Sequence, residues 1–92
     1  MIKTFAHSGL EDFFYAGTKK GIQPKHAQKI GDILDLLDAA VRVEDMNFPG
    51  SGLHQIKGDR KGQWAVKVSG NWRITFKFSV GHAYDVNLED YH

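Results

Sequence analysis

Residues 64–89 read WAVKVSGNWRITFKFSVGHAYDVNLE, three runs in which apolar and polar residues take turns. Trp64, Val66 and Val68 alternate with Ala65, Lys67 and Ser69. Trp72, Ile74, Phe76 and Phe78 alternate with Arg73, Thr75, Lys77 and Ser79, and Tyr84, Val86 and Leu88 with Ala83, Asp85, Asn87 and Glu89. A period of two marks a strand with one face on a core. Residues directly opposite across an antiparallel pair share a face, so apolar must meet apolar. A two-residue turn at Gly70-Asn71 would set Val68 against Arg73 and fail that test. A three-residue loop, Ser69-Gly70-Asn71, sets Val68 against Trp72, Val66 against Ile74 and Trp64 against Phe76. The same rule gives Val80-Gly81-His82 as the next loop, with Phe78 against Tyr84, Phe76 against Val86 and Ile74 against Leu88. On the polar face Lys67 then lies opposite Arg73, Lys77 opposite Asp85, and Arg73 opposite Glu89. Asp90-Tyr91-His92 emerges beside Arg73.

Upstream the period changes. Ala27, Ile30, Ile33, Leu34, Leu37 and Val41 recur at three- and four-residue spacings, one face of an α-helix that Pro24 would open. Ser8, three residues before Glu11, has the capping-box spacing and predicts a shorter helix through Leu10, Phe13, Phe14 and Ala16. Gly17 and the polar residues after it end that helix. Ile2–His7 reads as a strand, and residues 42–52, with Pro49-Gly50-Ser51-Gly52, as a connector. The expected fold is α+β: an N-terminal strand, two helices, then an antiparallel sheet, in one domain over residues 1–92.

That length leaves room for one core and one site. The apolar fraction of 41% and charged fraction of 25% are those of an ordinary globular protein. Net charge is only +1, but the cations are gathered. Lys57, Arg60, Lys61, Lys67, Arg73 and Lys77 stand in residues 54–77 against Asp59 alone, and residues 78–92 contain no Lys or Arg. The absence of cysteine excludes a disulfide framework, a thiolate nucleophile and a cysteine metal site. No apolar run suits a secretory signal or a membrane span, so a cytoplasmic protein without membrane contact is expected.

Three groups could carry chemistry. The loop from His54 to Gly62 offers Lys57, Arg60, Lys61 and glycine-exposed backbone N–H groups, a good grip on phosphate, though such composition more often marks a solvated hairpin tip. It is no P-loop, lacking the terminal Gly-Lys-Ser/Thr and the helix that should follow. On the sheet, Arg73 with Lys67 and Lys77 could bind phosphate through a planar guanidinium. Two cations facing each other are unfavourable unless an anion lies between them. Finally, Asp90-Tyr91-His92 combines a carboxylate, an aromatic stacking face and an imidazole that titrates near neutrality, though terminal residues are often merely frayed. His7, His26 and His82 show no metal-ligand spacing. No metal and no cofactor are expected.

Several separated motifs together resemble the HigB toxins of the RelE/ParE superfamily of bacterial toxin–antitoxin systems. They are Leu53-His54-Gln55-Ile56-Lys57-Gly58-Asp59-Arg60, then Gly62 and Trp64, Asn71-Trp72-Arg73-Ile74-Thr75-Phe76, and Glu89-Asp90-Tyr91-His92, with Met1-Ile2-Lys3-Thr4-Phe5 at the start. The resemblance runs the length of the chain. It implies a microbial-ribonuclease-like fold and an endoribonuclease that cuts messenger RNA in the ribosomal A site. It also implies a HigA-type antitoxin as partner, through which alone the complex would meet operator DNA. The site residues it carries over are His54, Lys57, Arg73, Asp90, Tyr91 and His92; from the gathered charge, Arg60, Lys61, Lys67 and Lys77 are expected as further RNA contacts. A ParE-like gyrase poison and a non-catalytic RNA-binding module are the alternative readings.

Overall fold

Ile30, Ile33, Leu34 and Leu37 fall on one side of a helix and are exposed by 1% or less; the rest of the fold is arranged around them. The computed structural model describes residues 1–90, so the roles expected of Tyr91 and His92 fall on residues outside the described ones. Helix α1 is Ser8–Ala16 and α2 is Ala27–Ala39, entered through a 3-10 turn at Pro24–His26. After a second 3-10 turn, Val43–Met46, come β1 (His54–Gln55), a third turn at Gly58–Arg60, β2 (Gln63–Ser69), β3 (Trp72–Ser79) and β4 (His82–Asp90). The sheet order is β1-β2-β3-β4, antiparallel throughout. Leu10 from α1 and the α2 stripe meet Val66, Ile74, Phe76 and Val86 in one apolar cluster. Each such side chain contributes about 1.5–3 kcal/mol by leaving water.

The α+β class and element order are as the sequence predicts; several details differ. The segment expected as an N-terminal strand runs parallel to β4 through two isolated bridges, Ile2 with Ala83 and Phe5 with Val86. Helix α1 is capped by His7, not Ser8: the His7 Nδ1 accepts from the Leu10 N–H at 3.0 Å. An imidazole nitrogen serves there as a serine oxygen would. Just inside that cap Gly9 meets Gly21 backbone to backbone, and a Cβ on Gly9 would stand 2.6 Å from the Gly21 carbonyl oxygen. Val41 lies beyond the end of α2 and is 71% exposed. Its N–H and that of Arg42 go to the Asp45 carboxylate, at 2.9 and 3.1 Å, instead of continuing the helix. Those donations, Val41 first, hold the Asp45 carboxyl below the usual carboxylate range.

Both hairpins close with two-residue turns, and each contains a bulge that sequence alternation could not supply. Trp64–Phe76, Val66–Ile74 and Lys67–Arg73 pair as expected, but Ser69 instead of Val68 faces Trp72. The extra residue Val68 is absorbed by the irregularity, so the Gly70-Asn71 turn is reached without setting Val68 against Arg73. In the second hairpin Val80 and Gly81 both take left-handed backbone, φ 49° and 77°, as a tight hairpin turn requires. Arg73–Glu89 and Ile74–Leu88 pair as expected. Phe78 faces Ala83 and Lys77 faces Tyr84, in place of the expected Phe78–Tyr84, Phe76–Val86 and Lys77–Asp85 pairs. The cause is at Asp85, left-handed at φ 52°, whose N–H donates to the Thr4 Oγ1 at 2.8 Å. Past it the faces exchange, so Ala83 and Val86, not Tyr84, enter the core.

Candidate active site

The sheet face turned away from the helices carries His54, Lys67, Arg73 and Lys77 of the residues singled out above. Register gives it three rows. Lys67, Arg73 and Glu89 form one; His54, Ala65, Thr75 and Asn87 the next; Gln63, Lys77 and Tyr84 the third. A solvated face was expected, yet Ala65 is fully buried and Thr75 is 1% exposed. The loop between β1 and β2 is folded toward this face, and Arg60 spans it.

The Arg60 guanidinium donates from Nε and Nη2 to the Gln63 Oε1, at 3.1 and 2.6 Å. It also donates from Nη1 to the Glu89 Oε1 at 2.8 Å and from Nη2 to Oε2. Thr75 Oγ1 donates to the same Glu89 oxygen. The guanidinium first, then the hydroxyl, hold the Glu89 carboxyl below its ordinary range, against an opposing effect of burial. Charge-assisted, two-pronged pairing of this kind is among the stronger polar contacts a protein makes. In the sequence Glu89 stands as the residue opposite Arg73 and, like Thr75, as part of a motif, with nothing to mark either as a partner of Arg60, and Gln63 is not singled out. The signal available was that Thr75 and Glu89 occupy neighbouring rows of one face.

Arg73 is half-buried, and its Nη1 donates to the carbonyls of Gly70, at 2.6 Å, and Trp72, at 3.1 Å. The guanidinium is thereby fixed over the Gly70-Asn71 turn, with exposed Lys67 as its neighbour on β2. Asp90 is exposed at the end of β4, opposite Trp72 and one residue beyond the Arg73–Glu89 pair. Trp72 in turn lies against the buried ring of His26, centroids 6.3 Å apart, which ties this end of the sheet to the start of α2.

Lys57 and Lys61 line a recess of about 440 Å³ with Gln55, Ile56, Gly58 and Gly62. His54, exposed on β1, bonds through Nδ1 to the Gly52 carbonyl at 3.0 Å. That bond needs the proton on Nδ1, which in the neutral ring makes Nε2 the basic nitrogen. The His54 backbone stands three strand spacings, about 14 Å, from β4. Lys77 is drawn away from the others: it lies about 13 Å along β3 from Arg73 and pairs with Asp85 at 3.5 Å. Among the described residues, no group of three or more His, Asp or Glu side chains is placed to hold a metal ion. No helix among them is long and apolar enough to cross a membrane.

The family model described as the RelE-like toxin of type II toxin–antitoxin system HigB matches residues 3–92. A protein of Proteus vulgaris named Endoribonuclease HigB is 44% identical over 92 residues, the whole of both chains. Among solved structures, a chain of the YoeB–YefM complex from Staphylococcus aureus superposes with a TM-score of 0.64 at 16% identity, covering 100% of this chain and 95% of that one. At that identity the likeness is one of fold. By its sequence over nearly its full length, the chain belongs to the HigB-like family of RelE-like toxins from type II toxin–antitoxin systems.

Proposed function

We propose that this protein is an endoribonuclease that cuts messenger RNA in the ribosomal A site without a metal ion. The observation that carries the reading is the Lys67–Arg73 pair. Two cations face each other across β2 and β3, an arrangement that a phosphate between them would relieve, and β4 brings Asp90 to the same end of the sheet. The full-length relative that acts as an endoribonuclease by name supports it.

The chemistry is a transesterification. A base takes the proton of a 2′-OH, the freed oxygen attacks the adjacent phosphorus, and the bond to the 5′-oxygen breaks as an acid protonates that oxygen. A 2′,3′-cyclic phosphate and a new 5′-hydroxyl result. Arg73 and Lys57 stabilise the charge that builds on the phosphate. His54 and His92 move the protons, His92 as general acid; Asp90 acts as base or orients a histidine, and Tyr91 positions a base or sugar. Lys61 and Lys67 grip neighbouring phosphates. Arg60 and Lys77, which also belong to the basic set, are engaged with Glu89 and Asp85. The partner is an antitoxin of the HigA type, through which the complex meets operator DNA, and the toxin works in the cytoplasm.

The test is a translating reaction with the purified protein added and messenger 5′ ends mapped. Cuts in phase with codons are expected. Intact messenger would overturn the reading in favour of a binding module, and inhibition that depends on gyrase would favour a gyrase poison.

A further inference from the structure

The loop that carries Lys57 leaves β1 after Gln55 and joins β2 at Gln63, so both its ends are fixed at the sheet edge remote from β4. Its middle is not confined there. Arg60 reaches across β2 and β3 to the carboxylate of Glu89 on β4. Ile56 is buried at the start of the loop and bonds to Gln63; beyond it, within residues 57–62, Arg60 alone is not exposed, and its side chain ties the middle of the loop to the face. The contact is built on several partners. Among the described residues, four hydrogen bonds leave the guanidinium for three acceptor oxygens. One Glu89 oxygen is shared with Thr75, whose side chain is buried. A surface lysine–carboxylate pair such as Lys77–Asp85, half exposed on both sides at 49% and 55%, is backed by a long hydrogen bond from Thr4 Oγ1 to Asp85 Oδ1 at 3.4 Å.

We propose that Arg60 and Glu89 are positioning residues for RNA cleavage. Their ion pair latches the Lys57 loop, from one edge of the sheet, to the strand that delivers Asp90 at the other. The proposal rests on the endoribonuclease reading and adds to it the element that sets the distance between its two cationic parts. A phosphate gripped from both sides needs those parts held in place, and a displacement of about 1 Å costs on the order of 10²-fold in rate. Glu89 is the anchor. It stands opposite Arg73 in the register and directly precedes Asp90, so one carboxylate links loop, sheet and strand end.

A latch and an RNA-gripping Arg60 predict different results. If Arg60 gripped RNA and Glu89 restrained it, Glu89→Gln would tighten binding and leave turnover intact. If the pair is a latch, Glu89→Gln lowers the maximal single-turnover rate on messenger-loaded ribosomes by about 10²-fold. The half-saturating concentration then stays near that of the parent protein. Arg60→Ala, Glu89→Ala and the double variant should lose the same amount, since each breaks the same contact. Arg60→Lys, which keeps charge without the two-pronged geometry, should not restore the rate. Hydrogen exchange supplies a readout independent of cleavage. Backbone amides of residues 57–62 should exchange faster in Glu89→Gln, while those of β2 and β3 stay protected. An unchanged rate, a loss confined to half-saturation, additive single losses, or unchanged exchange in the loop would each overturn the latch. Should the parent protein cut no messenger, the endoribonuclease reading falls, and loop exchange alone then decides whether the latch exists.

Discussion

Strand β3 presents two faces made of alternate residues, and they are held by different forces. Ile74 and Phe76 point into the cluster formed with α2 and are essentially out of water. Arg73 and Thr75, their neighbours in the chain, point to the face crossed by Arg60. The first face is governed by apolar area and tolerates changes of shape better than changes of volume. The second is governed by the direction of hydrogen bonds, where the loss of one partner leaves another unsatisfied. Stability and geometry are thus separable along a single strand, one residue at a time.

Four measurements can break that separation or sharpen it. Phe76→Ala should remove about 3–5 kcal/mol of stability, read as a lower denaturant midpoint, while cleavage per folded molecule is preserved; activity lost without loss of stability would end the distinction. Arg73→Ala should do the reverse, lowering cleavage by about 10²–10³-fold, the cost of one preorganised transition-state donor, with the thermal midpoint nearly unchanged. The third concerns pH. Because the folded Glu89 carboxyl sits below its ordinary range, its contribution is present above the unfolded pKa and fades as pH falls through the folded one. The thermal midpoint of the parent should therefore exceed that of Glu89→Gln at neutral pH, with the gap closing in acid; a gap that widens in acid would contradict the ion pair. Smallest is Lys77→Ala. Its exposed pair with Asp85 should be worth under about 1 kcal/mol, and a larger loss of stability would mean that the far end of this face is as organised as the Arg60 end.

How legible each face was in the sequence follows from the same physics. The stripe Ala27, Ile30, Ile33, Leu34, Leu37 and Val41 is a local pattern, and burial confirms every member but Val41, which lies past the end of the helix. Val66–Ile74 and Ile74–Leu88 follow from alternation alone. The bulges at Val68 and Asp85 do not, because a bulge is settled by whatever meets the strand from elsewhere. At Asp85 that is Thr4, 81 residues away, and so Tyr84 was assigned to the wrong face. In the candidate site, Lys67 and Arg73 could be gathered from strand register, which also brings Asp90 to the same end of the sheet but in the alternate row, opposite Trp72. Arg60 could not be joined to Glu89 because the path of a loop has no periodicity to read. His7 as a helix cap escaped notice for a different reason: Ser8 offered the commoner residue for the same duty one position later.

The parallel pairing of residues 1–6 with β4 also has a temporal consequence. Synthesis proceeds from the N-terminus, yet the partners of Ile2, Thr4 and Phe5 are Ala83, Asp85 and Val86, among the later residues to be made. The strand pairing of the opening segment must wait while α1, α2 and the first hairpin come together from contacts nearer in sequence, with the Ile2 N–H donating to Asp38 on α2 and Phe5 packed on Phe14 and Tyr15 of α1. The strand it waits for is the one that carries Glu89 and Asp90. Assembly of the candidate site and closure of the fold are therefore one late event, and nascent chains halted before His82 should keep residues 1–6 open to protease.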